Sequence, residues 1–483
     1  MNRPEPERTA ASLDADPSGA PGRVREIEAP ESANEPAEAA RRDIELARLY
    51  ARLARLQFEV DFYRQERRRL IRSVSWRLTR PLRLLNAFLR KCVSAVNRNG
   101  SRDPSDPLIA DLLRAGAQAS EGGDLRILHQ HAADLATLRD DPTFDPALFL
   151  PVEWTRTGAI VAFLTGWVAH QSKLPDWDRV LRRPCPGFHP HIYAHAHAGA
   201  YDTTVINPLA HFIRSGRPDG PWRHDVITPA SPLGSPEERS VPSAALHAHF
   251  HYPELAQDLF RRIAPRGPRC DLLVSTDHAD KAAKLRDAAS AYRRGEVRIC
   301  VVPNRGRDIG AFLTGFADDI VARYQIIGHV HGKRSLHAGG ADPFFGERWR
   351  EFLWQNLIGD QHPMMDIVLD RLARDEKLGI VFPDDPYLND WDGNRATAEA
   401  LATRMGMMEP LPPHFDFPVG TMFWARTAAL KPLFDLKLAW DDYPREPAAN
   451  DGTILNAIER LLPFAARHAG YRFATTHVPG VTR

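Results

Sequence analysis

The chain has 483 residues, a formal net charge of +1 and four cysteines. This length can hold two or three domains, and the balanced charge gives no global drive toward nucleic acid. The cysteines are widely spaced and form no Cys-x-x-Cys pair, which excludes a disulfide framework or a zinc-finger pattern and fits a reducing cytoplasm. We expect neither a signal peptide nor a membrane-spanning helix, because no apolar run reaches about 18 residues.

The first 96 residues predict a tail followed by a helical segment. Residues 1–38 are rich in Pro, Ala, Glu, Ser and Asp and carry no aromatic residue, so we expect them to be disordered. From residue 39 onward, apolar side chains recur at alternating three- and four-residue steps, at Leu46, Leu49, Leu53, Leu56, Val60 and Tyr63. This short heptad pattern is consistent with a coiled coil that makes a homo-oligomer, and equally with an amphipathic helix that packs on its own protein.

Residues 64–91 form a basic, apolar segment in which ten cations accompany one acid, Glu66. The segment also contains Trp76 and is interrupted by Pro81. A basic amphipathic segment with a tryptophan is typical of an anchor on an anionic membrane surface. Docking onto the protein itself is the alternative. We expect no nucleic-acid binding, because no reader motif accompanies the charge.

Residues 97–225 predict a helical domain with a weak repeat of about 44 residues. The segment Phe144–Phe149 is paralleled by Phe188–Tyr193, and each unit continues to a Pro-Asp turn and a tryptophan. Histidines cluster in the second unit, at His189, His191, His195 and His197. No carboxylate or cysteine stands at ligand spacing, so we predict no metal there. Residues 226–242 read as a Pro/Ser linker that ends this domain.

The last domain, residues 243–483, predicts an α/β fold with a mostly parallel sheet flanked by helices. Apolar runs alternate with helical patterns, and the runs are continuous, as in buried parallel strands. The predicted strands are Ala244–Phe250, Cys270–Ser275, Val297–Val302, Tyr324–Val330, Leu378–Phe382 and Val419–Ala425. In the first of these, strand alternation places His247 and His249 on one face.

A charged glycine turn, Asn304–Gly310, follows the strand Val297–Val302. Together with Lys333 and Arg334 after the next strand, its two arginines put four cations near neighbouring strand ends. Ligands of open α/β sheets bind outside those ends, so the pattern suits a phosphorylated ligand. Asp308 would orient an arginine or a sugar hydroxyl. The alternative is a solvated turn in which Asp308 only pairs with a neighbouring arginine.

Several ordered motifs in this half of the chain resemble the rhamnan synthesis protein F family. They are NRGRDIGAF (304–312), HVHGKRS (329–335), LHAHFHYPEL (246–255), PVGTMFWAR (418–426) and DGTILNAIERLLP (451–463). The resemblance implies a glycosyltransferase-like domain in the synthesis of rhamnose-rich surface polysaccharide. It implies a nucleotide-sugar donor such as dTDP-rhamnose and a lipid-linked glycan acceptor. The protein would then be cytoplasmic and peripheral on the inner face of the bacterial plasma membrane.

Comparison with a GT-A glycosyltransferase domain implies roles for individual residues. The donor site would contain His249, Asp277, Asn304, Arg305, Gly306, Arg307, Asp308, His331, Lys333 and Ser335. The acceptor side would contain Asp384, Asp385, Trp391 and Gly420. Asp451, at the start of a helix, is equivalent to the catalytic base of inverting enzymes, since an attacking hydroxyl must lose its proton. Its alternative role is a helix N-cap.

The sequence departs from the GT-A pattern where a metal-binding Asp-x-Asp is expected. That place carries His329-Val330-His331-Gly332-Lys333. Lysine and arginine can neutralise a diphosphate without a metal, so we predict metal-independent donor binding and no cofactor. One alternative is a divalent metal held by His329, His331 and Asp384 or Asp385. The other is a catalytically inactive domain that binds glycan or acts as a scaffold in an assembly complex.

Overall fold

A computed structural model describes residues 131–149, 156–171, 181–203, 206–233, 242–263, 267–332, 345–449 and 451–483. The chain divides into two units, Met1–Pro104 and Ser105–Arg483, and all described residues belong to the second. The predicted disordered tail, the heptad helix and the basic segment lie outside the described residues, as do Lys333, Arg334 and Ser335.

A small helical region precedes the sheet. Its helices are α1 (Ala132–Asp140), α2 (Arg156–Gln171), α3 (Pro190–Ala196) and α4 (Pro208–Arg214). Both α3 and α4 begin with proline, whose missing N–H is no loss in the first turn. The preceding side chains, His189 and Asn207, accept hydrogen bonds from amides of that turn. The matching phenylalanines of the sequence repeat, Phe144 and Phe188, lie in one shared core.

One eight-stranded sheet forms the rest of the unit. Its strands are β1 (Asp225–Ile227), β2 (Ala244–His249), β3 (Asp271–Thr276), β4 (Val297–Val301), β5 (Ile326–His331), β6 (Leu378–Pro383), β7 (Phe423–Arg426) and β8 (Arg472–Thr476). The order across the sheet is β1-β8-β6-β7-β5-β2-β3-β4. Strand β7 runs antiparallel to both neighbours, and every other pairing is parallel.

Helices cover both faces of this sheet. They are α5 (Ala256–Arg262), α6 (Ala279–Ala289), α7 (Arg307–Gly310), α8 (Ala317–Arg323), α9 (Phe345–Leu357), α10 (Met364–Arg374), α11 (Arg395–Arg404), α12 (Lys431–Phe434) and α13 (Ile454–His468). Because strand side chains alternate, Ala245 and Leu273 enter one core while Leu246 and Leu272 enter the other. Strands β2 and β3 therefore contribute apolar side chains to both cores, as the sequence indicated.

The predicted α/β class with a mostly parallel sheet is confirmed. The structure adds two strands that the sequence did not predict, β1 and β8, and β1 lies in the segment read as a linker. The helical stretch after the glycine turn consists of α7, one π-turn at Ala311–Gly315 and α8. Among the described helices, none combines the length and the apolar character needed to cross a bilayer.

Candidate functional site

The candidate site lies at the edge of the sheet where the parallel strands end. Strands β2, β3 and β5 end side by side at His249, Thr276 and His331. Strand β7 begins at the same edge because it is antiparallel, and its first residue, Phe423, pairs with His329. Side chains that are distant in sequence therefore converge here, as expected for an α/β sheet.

A row of hydrogen-bonded polar side chains runs behind this edge; we call it the histidine row (His249, Ser275, His247, His329 and Asp308). His249 Nδ1 lies 2.9 Å from Ser275 Oγ, which lies 2.9 Å from His247 Nε2. His247 Nδ1 lies 2.8 Å from His329 Nδ1, and His329 Nε2 lies 3.2 Å from Asp308 Oδ2. His247, Ser275 and His329 are fully buried, while His249 is partly exposed.

Asp308 holds one end of the histidine row. Burial alone would raise the pKa of its carboxyl group, but attraction to His331 and the hydrogen bond from His329 hold that pKa well below its usual range. His331 Nε2 is 4.0 Å from the same carboxylate oxygen and 2.8 Å from the Gly420 carbonyl, to which it donates. Asp308 thus lies opposite both histidines of the HVHGKRS motif, and it pairs with neither Arg305 nor Arg307.

Asp277 follows β3 directly, and Asn304 lies three residues after the end of β4. The Asp277 carboxylate is 3.1 Å from His251 and 2.6 Å from Lys281. Burial would raise its pKa, yet the hydrogen bond from Lys281 and the charge of His251 lower it. Asp277 is therefore an ionised acceptor beside His249. Asn304 is exposed and follows Val301, an exposed apolar residue.

The two arginines of the glycine turn bind a distant segment, residues 441–448. Arg305 donates from Nε to the Tyr443 carbonyl at 2.8 Å and also binds Asp441. Arg307 donates to Glu446 Oε1 at 3.1 Å and to the Ala448 carbonyl at 3.2 Å. Sequence reasoning missed this partner, since nothing local links residues about 140 positions apart.

The glycines of the turn are required by Tyr443 of this segment and by Trp440, which precedes it. Gly306 has φ +74°, and a Cβ atom there would come within 2.8 Å of the Tyr443 ring. At Gly310 a Cβ atom would lie 2.7 Å from the Arg305 carbonyl oxygen and 3.1 Å from Trp440. The small residues therefore admit two aromatic rings, those of Tyr443 and Trp440.

Asp451 is exposed and its two carboxylate oxygens accept separate hydrogen bonds. Oδ1 accepts from Asn394 Nδ2 at 2.5 Å and Oδ2 from the Gly393 amide at 3.3 Å. Burial would raise its pKa, but these bonds, first that from Asn394, lower it. The cap position of α13 is Thr453, so the N-cap interpretation of Asp451 is wrong. A lowered pKa also makes the carboxylate a weaker base.

The predicted acceptor-side residues each have other partners in the structure. Gly420 lies at the sheet edge beside His331. Trp391 is buried against Phe415 and donates from Nε1 to the Pro412 carbonyl. Asp384 and Asp385 are buried and bind Arg183 and Arg483 respectively. They cannot complete a metal site with His329 and His331, and no group of three ligating side chains suited to a metal occurs among the described residues.

A second buried polar cluster was not predicted; we call it the arginine knot (Arg183, His224, Asp384 and Asp416). Arg183 Nε is 3.0 Å from Asp384 Oδ1, and Arg183 also binds Asp416. His224 lies between the two carboxylates, at 3.5 and 3.4 Å. The attraction of both carboxylates raises the pKa of Arg183 even though burial opposes its charge. The knot joins the helical region to the ends of β6 and β8.

Comparison with known proteins agrees with the sequence motifs. A family model described as rhamnan synthesis protein F matches residues 197–471, more than half of the chain. Two curated relatives, both called uncharacterized protein WxcX, come from two strains of Xanthomonas campestris pv. campestris. Each is 26% identical over 341 residues, which cover 64% of this chain and 47% of the relative. The chain thus spans about half the length of these relatives. By the family match, it belongs to the rhamnan synthesis protein F family.

Proposed function

We propose that the sheet domain transfers a deoxysugar, such as rhamnose, from a nucleotide donor to a growing surface glycan with inversion at the anomeric carbon. The observation that carries this proposal is the convergence of Asp277, Asp308, His249 and His331 at the carboxyl edge of β2, β3 and β5. Hydrogen-bond acceptors and imidazoles at that edge suit a ligand with hydroxyl and phosphate groups.

In this proposal Asp277 and Asn304 bind the nucleoside, which offers hydroxyl donors to a carboxylate. His331, with Lys333 and Ser335 beyond it in the chain, stabilises the departing diphosphate, because cations and hydrogen-bond donors stabilise developing negative charge. Arg305 and Arg307 support the site through segment 441–448, and Arg307 is exposed enough on one side to reach an anion. The acceptor is a lipid-linked glycan, brought to an anionic membrane surface by the basic residues 64–91.

A non-catalytic role is the second candidate, and one observation favours it. Both arginines of the signature turn already have partners in segment 441–448. In that case the domain binds glycan or organises an assembly complex without turnover. The two candidates differ in what they predict for nucleotide binding and product release.

Calorimetric titration of dTDP-rhamnose, dTDP and UDP into the full chain tests the proposal, with and without EDTA. We expect dTDP binding that survives EDTA and weakens about tenfold in Asp277→Asn, since a charged hydrogen bond is lost. The control is Asp280→Asn, an exposed carboxylate three residues further on. Absence of binding by every nucleotide would overturn the donor site and leave the scaffold role ahead.

A further inference from the structure

The hydrogen bonds of the histidine row can be assigned a single direction. Asp308 is ionised, so the nitrogen that faces it, His329 Nε2, must carry a proton. In a neutral His329 ring, Nδ1 is then an acceptor, and the facing His247 Nδ1 must donate. His247 Nε2 is left as an acceptor for the Ser275 hydroxyl proton.

The protonation of His249, the last member of the row, follows from the same count of protons. The Ser275 hydroxyl has one proton, which it gives to His247, so the bond between Ser275 Oγ and His249 must be donated by His249 Nδ1. The free nitrogen of His249, Nε2, is then unprotonated. It has no hydrogen-bond partner among the residues that the structure describes. The buried carboxylate of Asp308 thereby fixes an acceptor at the open end of the row, at the edge of β2.

One arrangement of the row with one more proton places the positive charge next to Asp308. If His329 is an imidazolium, both of its nitrogens donate, and every bond back to Ser275 reverses. His249 Nδ1 then accepts from Ser275, and His249 Nε2 carries the additional proton. Uptake of a proton at His249 Nε2 and a shift of each intervening proton along its hydrogen bond connect the two states. The positive charge then lies on His329, 3.2 Å from the Asp308 carboxylate.

We propose that His249 is the proton acceptor of the sugar transfer, and that the histidine row passes the resulting charge to the His329–Asp308 pair. This inference rests on the proposed function. The acceptor hydroxyl oxygen bonds to the anomeric carbon, while the bond from that carbon to the diphosphate breaks and its electron pair leaves with the diphosphate. The hydroxyl proton goes to His249 Nε2. His249 touches the reacting hydroxyl, whereas Asp308 is a positioning residue.

The electrostatics of the site are compatible with this role. Burial lowers the pKa of His249 to about 4, against the opposing attraction of Asp308. The ring is therefore neutral at neutral pH, with a free Nε2 that has about the basicity of an ordinary carboxylate. Burial and the neighbouring His329 likewise hold the pKa of His247 well below its usual range. Asp451, the base predicted from sequence, has both oxygens engaged in hydrogen bonds.

The direction of the hydrogen bonds in the histidine row can be measured without any sugar transfer. In the full-length protein labelled with ¹⁵N-histidine, long-range ¹H–¹⁵N correlations should show His249 and His247 protonated at Nδ1 and His329 at Nε2 at neutral pH. Signals are assigned with His→Gln variants. Ser275→Ala should release His249 from this tautomer. Protonation of His249 at Nε2 in the wild-type protein would overturn the inference.

The role of His249 as proton acceptor is tested by measuring dTDP release from dTDP-rhamnose, with octyl rhamnoside or water as the nucleophile. We expect His249→Ala to lower kcat about a hundredfold or more, since a general base contributes about 10²–10⁴, and to leave the KM for the donor within a few fold. Added imidazole should restore part of the rate, which a purely structural defect would not allow. Ser275→Ala should lose about tenfold, and the control Ser290→Ala, at an exposed hydroxyl, should lose nothing.

The outcomes separate the two proposals. If the wild-type protein releases no dTDP, the proposed function fails, and the catalytic role of His249 fails with it. If the wild-type protein is active and both His249→Ala and Ser275→Ala keep full kcat, only the present inference is overturned. A His249→Ala variant that is inactive, correctly folded by circular dichroism and insensitive to imidazole also contradicts it.

Discussion

The arginine knot and the histidine row are both buried polar clusters at the same edge of one sheet, yet they are built differently. Arg183 supplies a permanent charge, paired with Asp384 and Asp416 and closed off by the helical region. The histidine row contains one ionised group, Asp308, and otherwise only groups that can exchange protons. The knot ends on charged partners, whereas the row ends on a partly exposed imidazole.

This difference separates a structural cluster from a chemical one. A buried ion pair needs every partner, because removal of one leaves an uncompensated charge in the interior. A row of neutral histidines has two proton arrangements that differ by one proton, so it can respond to a ligand. The comparison predicts that the knot mainly governs stability and that the row governs the response to protons and substrates.

The largest effect should follow from Arg183→Ala. The change leaves the carboxylates of Asp384 and Asp416 buried without their cation, and we expect unfolding to become easier by about 3–5 kcal/mol. Urea denaturation of the full chain measures this. Arg223→Ala removes a solvent-exposed pair with Asp219 and should cost less than about 1 kcal/mol. Equal losses of unfolding free energy in the two variants would contradict the structural role of the arginine knot.

Acid should weaken the fold through the histidine row. His249 has a pKa of about 4 in the folded protein and about 6.5 when unfolded, so the unfolded chain binds more protons in that interval. Stability therefore falls as pH drops from about 6.5 toward 4. Between pH 7 and pH 5 the loss is about 2 kcal/mol for this histidine.

The measurement is urea denaturation at several pH values. His249→Gln should make the pH dependence shallower by about that amount, and His278→Gln, at an exposed histidine, should leave it unchanged. The knot should behave differently in this range. Burial opposes its negative charges, yet Arg183 lowers the pKa of both Asp384 and Asp416, so their contribution is lost only below about pH 4. An unaltered slope in His249→Gln would contradict the comparison.

The smallest effect is expected for Asp451→Asn. The substitution retains one oxygen acceptor for the bonds from Asn394 and Gly393, so we expect a loss of about 0.5–1 kcal/mol. Helix content by circular dichroism should not change, because α13 is not capped by this side chain. If His249 accepts the proton, dTDP release should stay within a few fold of the wild-type rate. A hundredfold decrease would restore Asp451 as the base.

The features predicted correctly from the sequence are those that depend on local residue patterns. Continuous apolar runs located β2 to β6, and strand alternation placed His247 and His249 on one face, where both contact Ser275. Because the carboxyl ends of parallel strands meet at one edge of a sheet, the sequence also predicted that Asp277 and His331 lie at the same edge. These results depend on spacing of two residues along a strand and on the shared direction of parallel strands.

The remainder depends on contacts between distant parts of the chain. Short strands such as β1 gain their stability from a partner, here β8, about 250 residues later. The arginines of the glycine turn were predicted to bind a phosphorylated ligand. Their partners in residues 441–448 could not be predicted, because no sequence pattern identifies them. The burial of Arg183 could not be predicted either. A buried arginine is recognised by the carboxylates around it, and those approach it only in the folded protein.

Strand β1 has a consequence for how this protein could be divided. It is continuous in the chain with the helical region, yet its backbone pairs with β8 in the sheet. Together with the arginine knot, it gives the helical region two separate attachments to one edge of the sheet domain. A cut between residues 228 and 243 would therefore yield two pieces with complementary surfaces, suited to reassembly as a split protein, and not two independent domains.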